Sequence, residues 1–285
     1  MTPEQIADER RRGRLAGAAA VLAAALFVIA AVWSQSLSSD APERNGPALL
    51  RFFDRHTGQL IGSSVVRGLA LLLLLGVTVH LWRALKQRRP EEAPVVHVMG
   101  LYGPIAAGLG TVAVGAALAA AASHFTDRQF QTIDAADDAF RTVQLIGLLS
   151  FSGSLALAFW FVKGCLDAMR IGLLGRFLGI MGIAMGPGLV IASMIFQFLL
   201  PVWLCAVAAI FAGLPLRGMP PAWEAGEAIP LPSARERFGE ALDNGIRTTP
   251  NGEVEAVGPG VRKPEPGEDR PAKPKRRKRK RRGGR

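Results

Sequence analysis

The chain has 285 residues, 49% of them hydrophobic, and it carries a formal net charge of +11. Apolar residues dominate positions 15–214, whereas most of the positive charge lies beyond them. Apolar runs of about 18 residues or more are typical of membrane spans, so this composition excludes a soluble globular core and indicates a membrane protein.

The first apolar run is expected to be a retained membrane span and not a signal peptide. It extends from Leu15 to Trp33 after a basic stretch, Arg10 to Arg14. The run is longer than the apolar core of an ordinary signal peptide, and no clear small-residue cleavage site follows it. Beyond it, the apolar residues between Leu49 and Leu60 predict a short helix at the membrane surface.

The apolar runs together predict an all-α bundle of six spans. We expect these at about residues 15–33, 61–84, 98–123, 142–162, 175–194 and 198–214. Residues 177–214 contain no charge and would form a single helix of about 57 Å, nearly twice the bilayer's hydrocarbon thickness. A turn is therefore expected near Phe196 to Pro201, although one kinked span or a re-entrant loop also fits.

The distribution of Lys and Arg predicts the orientation of the spans. The N-terminus, the connection after span 2 and the connection after span 4 are basic, whereas the opposite loops are neutral or acidic. The positive-inside rule then places both termini in the cytoplasm of a bacterial plasma membrane. The expected domains are a basic N-terminus (1–14), the bundle (15–216) and a Pro-rich, polybasic tail (217–285) expected to be disordered.

Aromatic residues near the predicted span ends suggest a belt at the two membrane surfaces. These residues are Trp33, Trp82, Tyr102, Trp160 and Trp203.

A glycine repeat predicts a helix-packing face in the fifth span. Its members are Gly172, Gly175, Gly179, Gly182 and Gly186. Their spacing of three and four places all five on one helical face, and bare faces let helices approach closely in lipid. A sliding or gating surface, or a dimer interface, is the alternative use of such a face.

Two further features lie within the spans. Pro187, in Gly186-Pro187-Gly188, predicts a helix kink, with a break that binds substrate or a re-entrant loop as alternatives. Arg67 is the charge placed most clearly inside a span. It is expected to snorkel to the membrane surface or to form a structural salt bridge, and contact with a substrate or a lipid headgroup is the alternative. Its expected polar contacts lie towards the outer side: Gln144, Asp127, Asp134, Asp137 and Asp138.

No pattern in the sequence points to catalysis, a metal or a cofactor. The two cysteines, Cys165 and Cys205, form no CxxC motif, and the four histidines lack the spacing of metal or haem ligands. No GxSxG motif or P-loop is present. The chain is therefore expected to be no enzyme and to bind no cofactor.

The end of the tail carries a basic cluster. It consists of Lys273, Lys275, Arg276, Arg277, Lys278, Arg279, Lys280, Arg281 and Arg282. Such a cluster is attracted to anionic lipids. RNA, including that of a ribosome, is an alternative partner, without sequence specificity because no aromatic residue interleaves the run. An acidic protein is a third partner that fits.

The stretch from Gly218 to Ser233, GMPPAWEAGEAIPLPS, directly follows the last span. It resembles a juxtamembrane segment of uncharacterised actinobacterial multi-pass membrane proteins, which are also rich in Ala, Gly and Arg. The resemblance implies a bacterial cell membrane and brings no catalytic residues with it.

Three functional hypotheses follow from the sequence. The first is a non-enzymatic structural, accessory or assembly component of the plasma membrane, with a second copy or another membrane protein as partner. The second is a small transporter or channel that uses Arg67 and a helix broken at Gly186-Pro187-Gly188. The third is an accessory factor whose tail contacts ribosomes or an anionic partner.

Overall fold

The computed structural model describes residues 3–42, 46–91, 94–191, 193–214 and 219–230, together with two short strands. The chain forms two compact units, residues 1–231 and 232–285. The described helices of the first unit are α1 (Pro3–Ser39), α2 (Gly46–Arg55), α3 (Thr57–Arg88), α4 (Pro94–Thr126), α5 (Ile133–Arg170), α6 (Arg176–Ile191), α7 (Ser193–Phe211) and α8 (Pro221–Ala225).

The second unit contains a short antiparallel strand pair, β1 (Ile246–Thr248) and β2 (Val254–Ala256). The sequence predicts no regular structure there. The β-branched residues Ile246, Thr248 and Val254 favour extended backbone, which accounts for the difference.

Four of the described helices are long and apolar enough to cross a membrane: α1, α3, α4 and α5. Each has at least 32 residues. At 1.5 Å per residue, 32 residues extend about 48 Å and exceed the roughly 30 Å of bilayer hydrocarbon. The prediction of an α-helical bundle is confirmed, with four helices that could cross a membrane, and α6 and α7 are shorter apolar helices.

Six helices form a closed ring in which every neighbour is antiparallel. α1 packs against α3 and α7, α4 lies between α3 and α5, and α6 lies between α5 and α7. In α4, Gly103 faces Leu157 and Gly110 faces Ser150, so α5 runs back along α4. Short connections produce such antiparallel neighbours. α5 therefore lies between the small-residue-rich helices α4 and α6 and keeps them apart.

The turn between the last two helices of the ring differs from the prediction. α6 ends at Ile191 and α7 already includes residues 193–201, so Phe196 to Pro201 is helix and not turn. Trp203 Nε1 donates to the Leu178 carbonyl at 3.0 Å, which requires α7 to fold back along α6. Pro187 and Pro201 both lie inside helices. Apolar spans tolerate such prolines because neighbouring groups satisfy the freed backbone.

The aromatic belt is only partly present. Trp33 and Tyr102 are exposed, but Trp160 and Trp203 are fully buried in the core. Both rings pack edge-on against Phe161, with centroids 5.4 Å and 5.2 Å away. Position near a span end therefore does not place these two side chains at the surface, because their helix faces point into the ring.

Helix α2 packs across the end of the bundle where α4 ends and α5 begins. The sequence predicts a short surface helix in this region. Leu50 of α2 is fully buried and packs with Ala122 and Phe125 of α4 and Ala136 of α5. This apolar face fixes α2 across the loop between α4 and α5.

Candidate functional site

Arg67 lies on α3 and lines a cavity of about 340 Å³ inside the ring. Residues of four helices, α1, α3, α4 and α5, form the walls of this Arg67 cavity. The lining residues are Phe27, Leu60, Ser63, Ser64, Arg67, Leu71, Thr111, Val114, Gly115, Leu118, Ser150 and Ser154. Arg67 is the only titratable side chain among these described lining residues.

Five hydroxyl groups from α3, α4 and α5 make the lining of the Arg67 cavity partly polar. Ser63 and Ser64 each donate to the Leu60 carbonyl, at 3.1 Å and 2.8 Å. Thr111 donates to Ala107 at 2.7 Å, and its hydroxyl lies 3.3 Å from that of Ser150. Ser154 donates to the Ser150 carbonyl at 2.9 Å. Each hydroxyl oxygen keeps acceptor capacity, and the hydroxyl groups can rotate towards a ligand.

The guanidinium of Arg67 has no hydrogen-bond or ion-pair partner within the described part of the chain. The partners expected from the sequence do not reach it. Asp138 and Ser150 lie about 18 Å apart along α5, at 1.5 Å per residue. Asp134, Asp137 and Asp138 are exposed near the start of α5, Asp127 is exposed in the preceding loop, and Gln144 is also exposed.

This arrangement suits an anion. A guanidinium offers five donors in a planar fork that matches carboxylate and phosphate oxygens. A charge inside the hydrocarbon region is costly unless it is paired or hydrated. The Arg67 cavity supplies a cation and rotatable hydroxyl groups, but no acid or base among its described lining residues. It can therefore bind and orient an oxyanion more readily than it can transfer a proton.

The predicted glycine face is only partly helical. Gly179, Gly182 and Gly186 lie on α6 and face Met169, Cys165 and Ala158 of α5. A Cβ on Gly186 would lie 2.7 Å from the Ala158 carbonyl oxygen, so this face is already occupied within the chain.

Gly172 and Gly175 precede α6, so placing all five glycines on one helical face is wrong. Gly172 has a φ of +77° directly after α5 ends, a backbone conformation that favours glycine over residues with a side chain.

The kink prediction and the broken-helix alternative both concern Pro187. α6 is continuous through Gly186, Pro187 and Gly188 to Ile191, so the helix is not broken there. None of these three residues lines the Arg67 cavity. The transporter hypothesis therefore retains Arg67 but loses the broken helix.

The start of α1, the end of α3 and the junction of α5 and α6 lie at one end of the ring, which we call the basic end. This basic end carries a buried ion pair. Arg88 binds both carboxylate oxygens of Glu9, at 2.7 Å and 3.0 Å, and both side chains are nearly inaccessible. Arg88 also donates twice to the Ala222 carbonyl, at 3.0 Å and 2.9 Å.

Residues 219–230, the docked segment, pack onto this basic end. Trp223 is 7% exposed, and its Nε1 donates to the Leu173 carbonyl at 2.8 Å. Its ring stacks on His80 with centroids 5.6 Å apart. The Ile229 amide donates to the Ile171 carbonyl at 3.2 Å. The predicted start of the tail, at residue 217, therefore lies too early in the sequence, because burial of Trp223 attaches residues 219–230 to the bundle.

The predicted basic cluster from Lys273 to Arg282 lies outside the described residues. Within the described residues, no group of three or more His, Cys, Asp or Glu side chains is arranged to hold a metal ion.

A family model described as a domain of unknown function, DUF4386, matches residues 15–223. The chain belongs to this family. No curated protein and no solved structure matches the chain. The DUF4386 match includes every residue of the Arg67 cavity and ends at the buried Trp223, whereas Glu9 precedes it.

Arg67 stands out in the sequence, but the hydroxyl groups that line its cavity do not. Ser63 and Ser64 precede Arg67 by one helical turn, and Ser150 and Ser154 are one turn apart on α5. This spacing of small polar residues in apolar runs is a usable signal. The contact of Glu9 with Arg88 has no local signature, because the two residues meet only through packing of α1 on α3.

Proposed function

We propose that this DUF4386 protein binds a small oxyanion at Arg67, within a bundle that crosses the bacterial plasma membrane six times. Both termini lie in the cytoplasm, and the protein is not an enzyme. The observation that carries the proposal is the guanidinium of Arg67, which has no partner among the described residues and lines a cavity with five hydroxyl groups.

The six crossings are supported by the antiparallel ring, since α6 and α7 complete the alternation and close on α1. Basic residues lie at the start of α1 and at the ends of α3 and α5. They support a cytoplasmic location for this side of the bundle. The absence of an enzymatic role is supported by the Arg67 cavity, whose described lining residues include no general acid, base or nucleophile pair.

The ligand chemistry is phosphate-like or carboxylate-like, from a free anion or from a lipid headgroup. A small transporter would use the first source, and a membrane component that holds lipid would use the second. The assembly role suggested by the polybasic tail, and its contact with lipid, ribosomal RNA or an acidic protein, rests on residues 273–282 and stays a prediction.

Replacement of Arg67 by methionine tests the proposal. We expect Arg67→Met to abolish anion binding while raising the unfolding free energy by about 2–3 kcal/mol, because a charge without a counter-ion leaves the membrane interior. Calorimetric titration of the purified protein with inorganic phosphate, acetate and dihexanoylphosphatidylglycerol measures binding and separates free anions from lipid.

Arg141→Met removes an exposed arginine of α5 and is the matched control. It should change neither the anion affinity nor the unfolding free energy. If none of the three anions binds the native protein, or if Arg67→Met binds them unchanged, the proposed site is wrong. A loss of stability in Arg67→Met would instead give Arg67 a structural role.

A further inference from the structure

The basic end contains a second cavity, distinct from the one at Arg67. It has a volume of about 350 Å³ and lies between α1, the end of α7 and the docked segment. Arg10 and Arg14 of α1 line one side, and Phe211 and Trp223 form aromatic walls. A neighbouring groove of about 630 Å³ shares Arg10 and Arg14 and adds Arg11.

The arginines of this basic-end pocket have no partner in the part of the chain that the structure describes. Arg10, Arg11 and Arg14 form no ion pair or hydrogen bond with any described residue. The neighbouring Arg12, on another face of α1, does pair with Asp8 at 2.8 Å. Among the acids that line the pocket, Glu9 is bound by Arg88, so Glu224 is the remaining carboxylate. Positive charge therefore exceeds negative charge in the pocket and its groove.

A buried polar atom also belongs to this pocket. His80 is 6% exposed and lines the cavity, yet its Nε2 has no hydrogen-bond partner in the described structure. Buried nitrogen atoms are nearly always satisfied in folded proteins. The His80 ring packs against Phe211 and Trp223, and its free Nε2 is available to a hydrogen-bonding group of a ligand in the pocket.

The position of the pocket along the helices indicates what that ligand is. The pocket lies where the charged first turns of α1 give way to the apolar run that begins at Leu15. Leu15 and Leu214 directly follow the lining residues Arg14 and Gly213 in the sequence and are 71% and 72% exposed. The arginines of the pocket are therefore next to exposed apolar residues, a combination that suits a phospholipid at the membrane surface.

We infer that the basic-end pocket binds the headgroup of an anionic phospholipid. Arg10 and Arg14 contact the phosphodiester, His80 Nε2 meets a polar group of the headgroup, and the acyl chains run along Leu15 and Leu214. The bound lipid joins α1 to the docked segment.

Native mass spectrometry of the full-length protein in detergent tests this inference, with phosphatidylglycerol and phosphatidylcholine of equal acyl chains as probes. We expect retention of one phosphatidylglycerol, weakened about 30-fold in Arg10→Gln/Arg14→Gln, since each arginine near anionic lipid contributes about fivefold. The control Arg12→Gln/Arg83→Gln removes equal charge from the same end outside this pocket and should bind normally.

Equal weakening in both double variants would mean that binding follows net charge, and the inference would fail. Equal retention of phosphatidylcholine would also overturn it, as would unchanged binding in Arg10→Gln/Arg14→Gln. Glycerol phosphate should not displace the lipid at millimolar concentration, and displacement would show that a free phosphate is the ligand. Arg67 is intact in all these variants, so failure here leaves the Arg67 proposal untouched.

Discussion

Replacement of Arg88 by alanine is expected to lower the unfolding free energy by about 3–5 kcal/mol, because Glu9 would keep a buried charge without a partner. The Glu9 and Arg88 side chains are 6% and 0% exposed, so bulk water has little access to the lost contacts. The Ala222 carbonyl would lose both Arg88 donors at the same time and keep only the Gly226 amide among its described donors. Titration of the purified protein with SDS, followed by circular dichroism, measures this loss.

Two further variants separate charge burial from packing. Glu9→Met/Arg88→Met removes both charges, and we expect it to recover most of the lost stability, since replacing a buried pair by apolar groups is often neutral. Arg12→Ala breaks an exposed pair whose side chains are each 54% accessible and should cost at most about 1 kcal/mol. If Arg88→Ala costs no more than Arg12→Ala, the ion pair does not hold the basic end together.

Replacement of Gly153 by alanine is expected to destabilise the bundle by about 1–3 kcal/mol through overpacking. The α4 backbone at Ala106 and Ala107 lies directly against Gly153, and a Cβ there would overlap both residues. Backbone atoms cannot rotate away as a flexible side chain can. The two helices would therefore move apart along the wall that contains Ser150 and Ser154.

Gly147 provides the control on the same helix. A Cβ at Gly147 would meet only Val114, at 3.9 Å. Gly147→Ala should therefore be neutral or should stabilise the bundle by up to about 1 kcal/mol, because alanine has the higher helix propensity. Equal effects of the two substitutions in SDS titration would contradict the close approach of α4 and α5 at Gly153.

The long helices could be predicted from sequence because length and hydropathy are local properties. Each of α1, α3, α4 and α5 contains the apolar run assigned to it. The turn after α6 could not be placed, because Pro187 and Pro201 look like breaks yet both lie inside helices. In an apolar bundle, neighbouring helices decide whether a proline interrupts a helix.

The site residues likewise include features that the sequence predicts and features that only the packing of the helices determines. Arg67 stands out because a lone charge in an apolar run is rare. Its surroundings depend on the relative register of α1, α3, α4 and α5, which sequence spacing alone does not give. Likewise, the glycine repeat predicts close packing for Gly179, Gly182 and Gly186, but the left-handed turn at Gly172 depends on where α5 ends.

Docking of Trp223 was the least predictable feature. A tryptophan in a Pro-rich stretch after the last span resembles the start of a disordered tail. Its burial requires the carbonyl of Leu173, the ring of His80 and the guanidinium of Arg88, which come from distant parts of the chain. Only the tertiary structure brings these groups together.

Cysteine labelling at the turn between α6 and α7 tests the six crossings most directly. Ile191, the last residue of α6, is 83% exposed, and Phe130, between α4 and α5, is 74% exposed. In a Cys165→Ala/Cys205→Ala background, Ile191→Cys and Phe130→Cys should both react with a membrane-impermeant maleimide on intact cells. Leu214→Cys should react only after permeabilisation. Labelling of Phe130→Cys but not Ile191→Cys on intact cells would show that α6 and α7 do not cross the membrane.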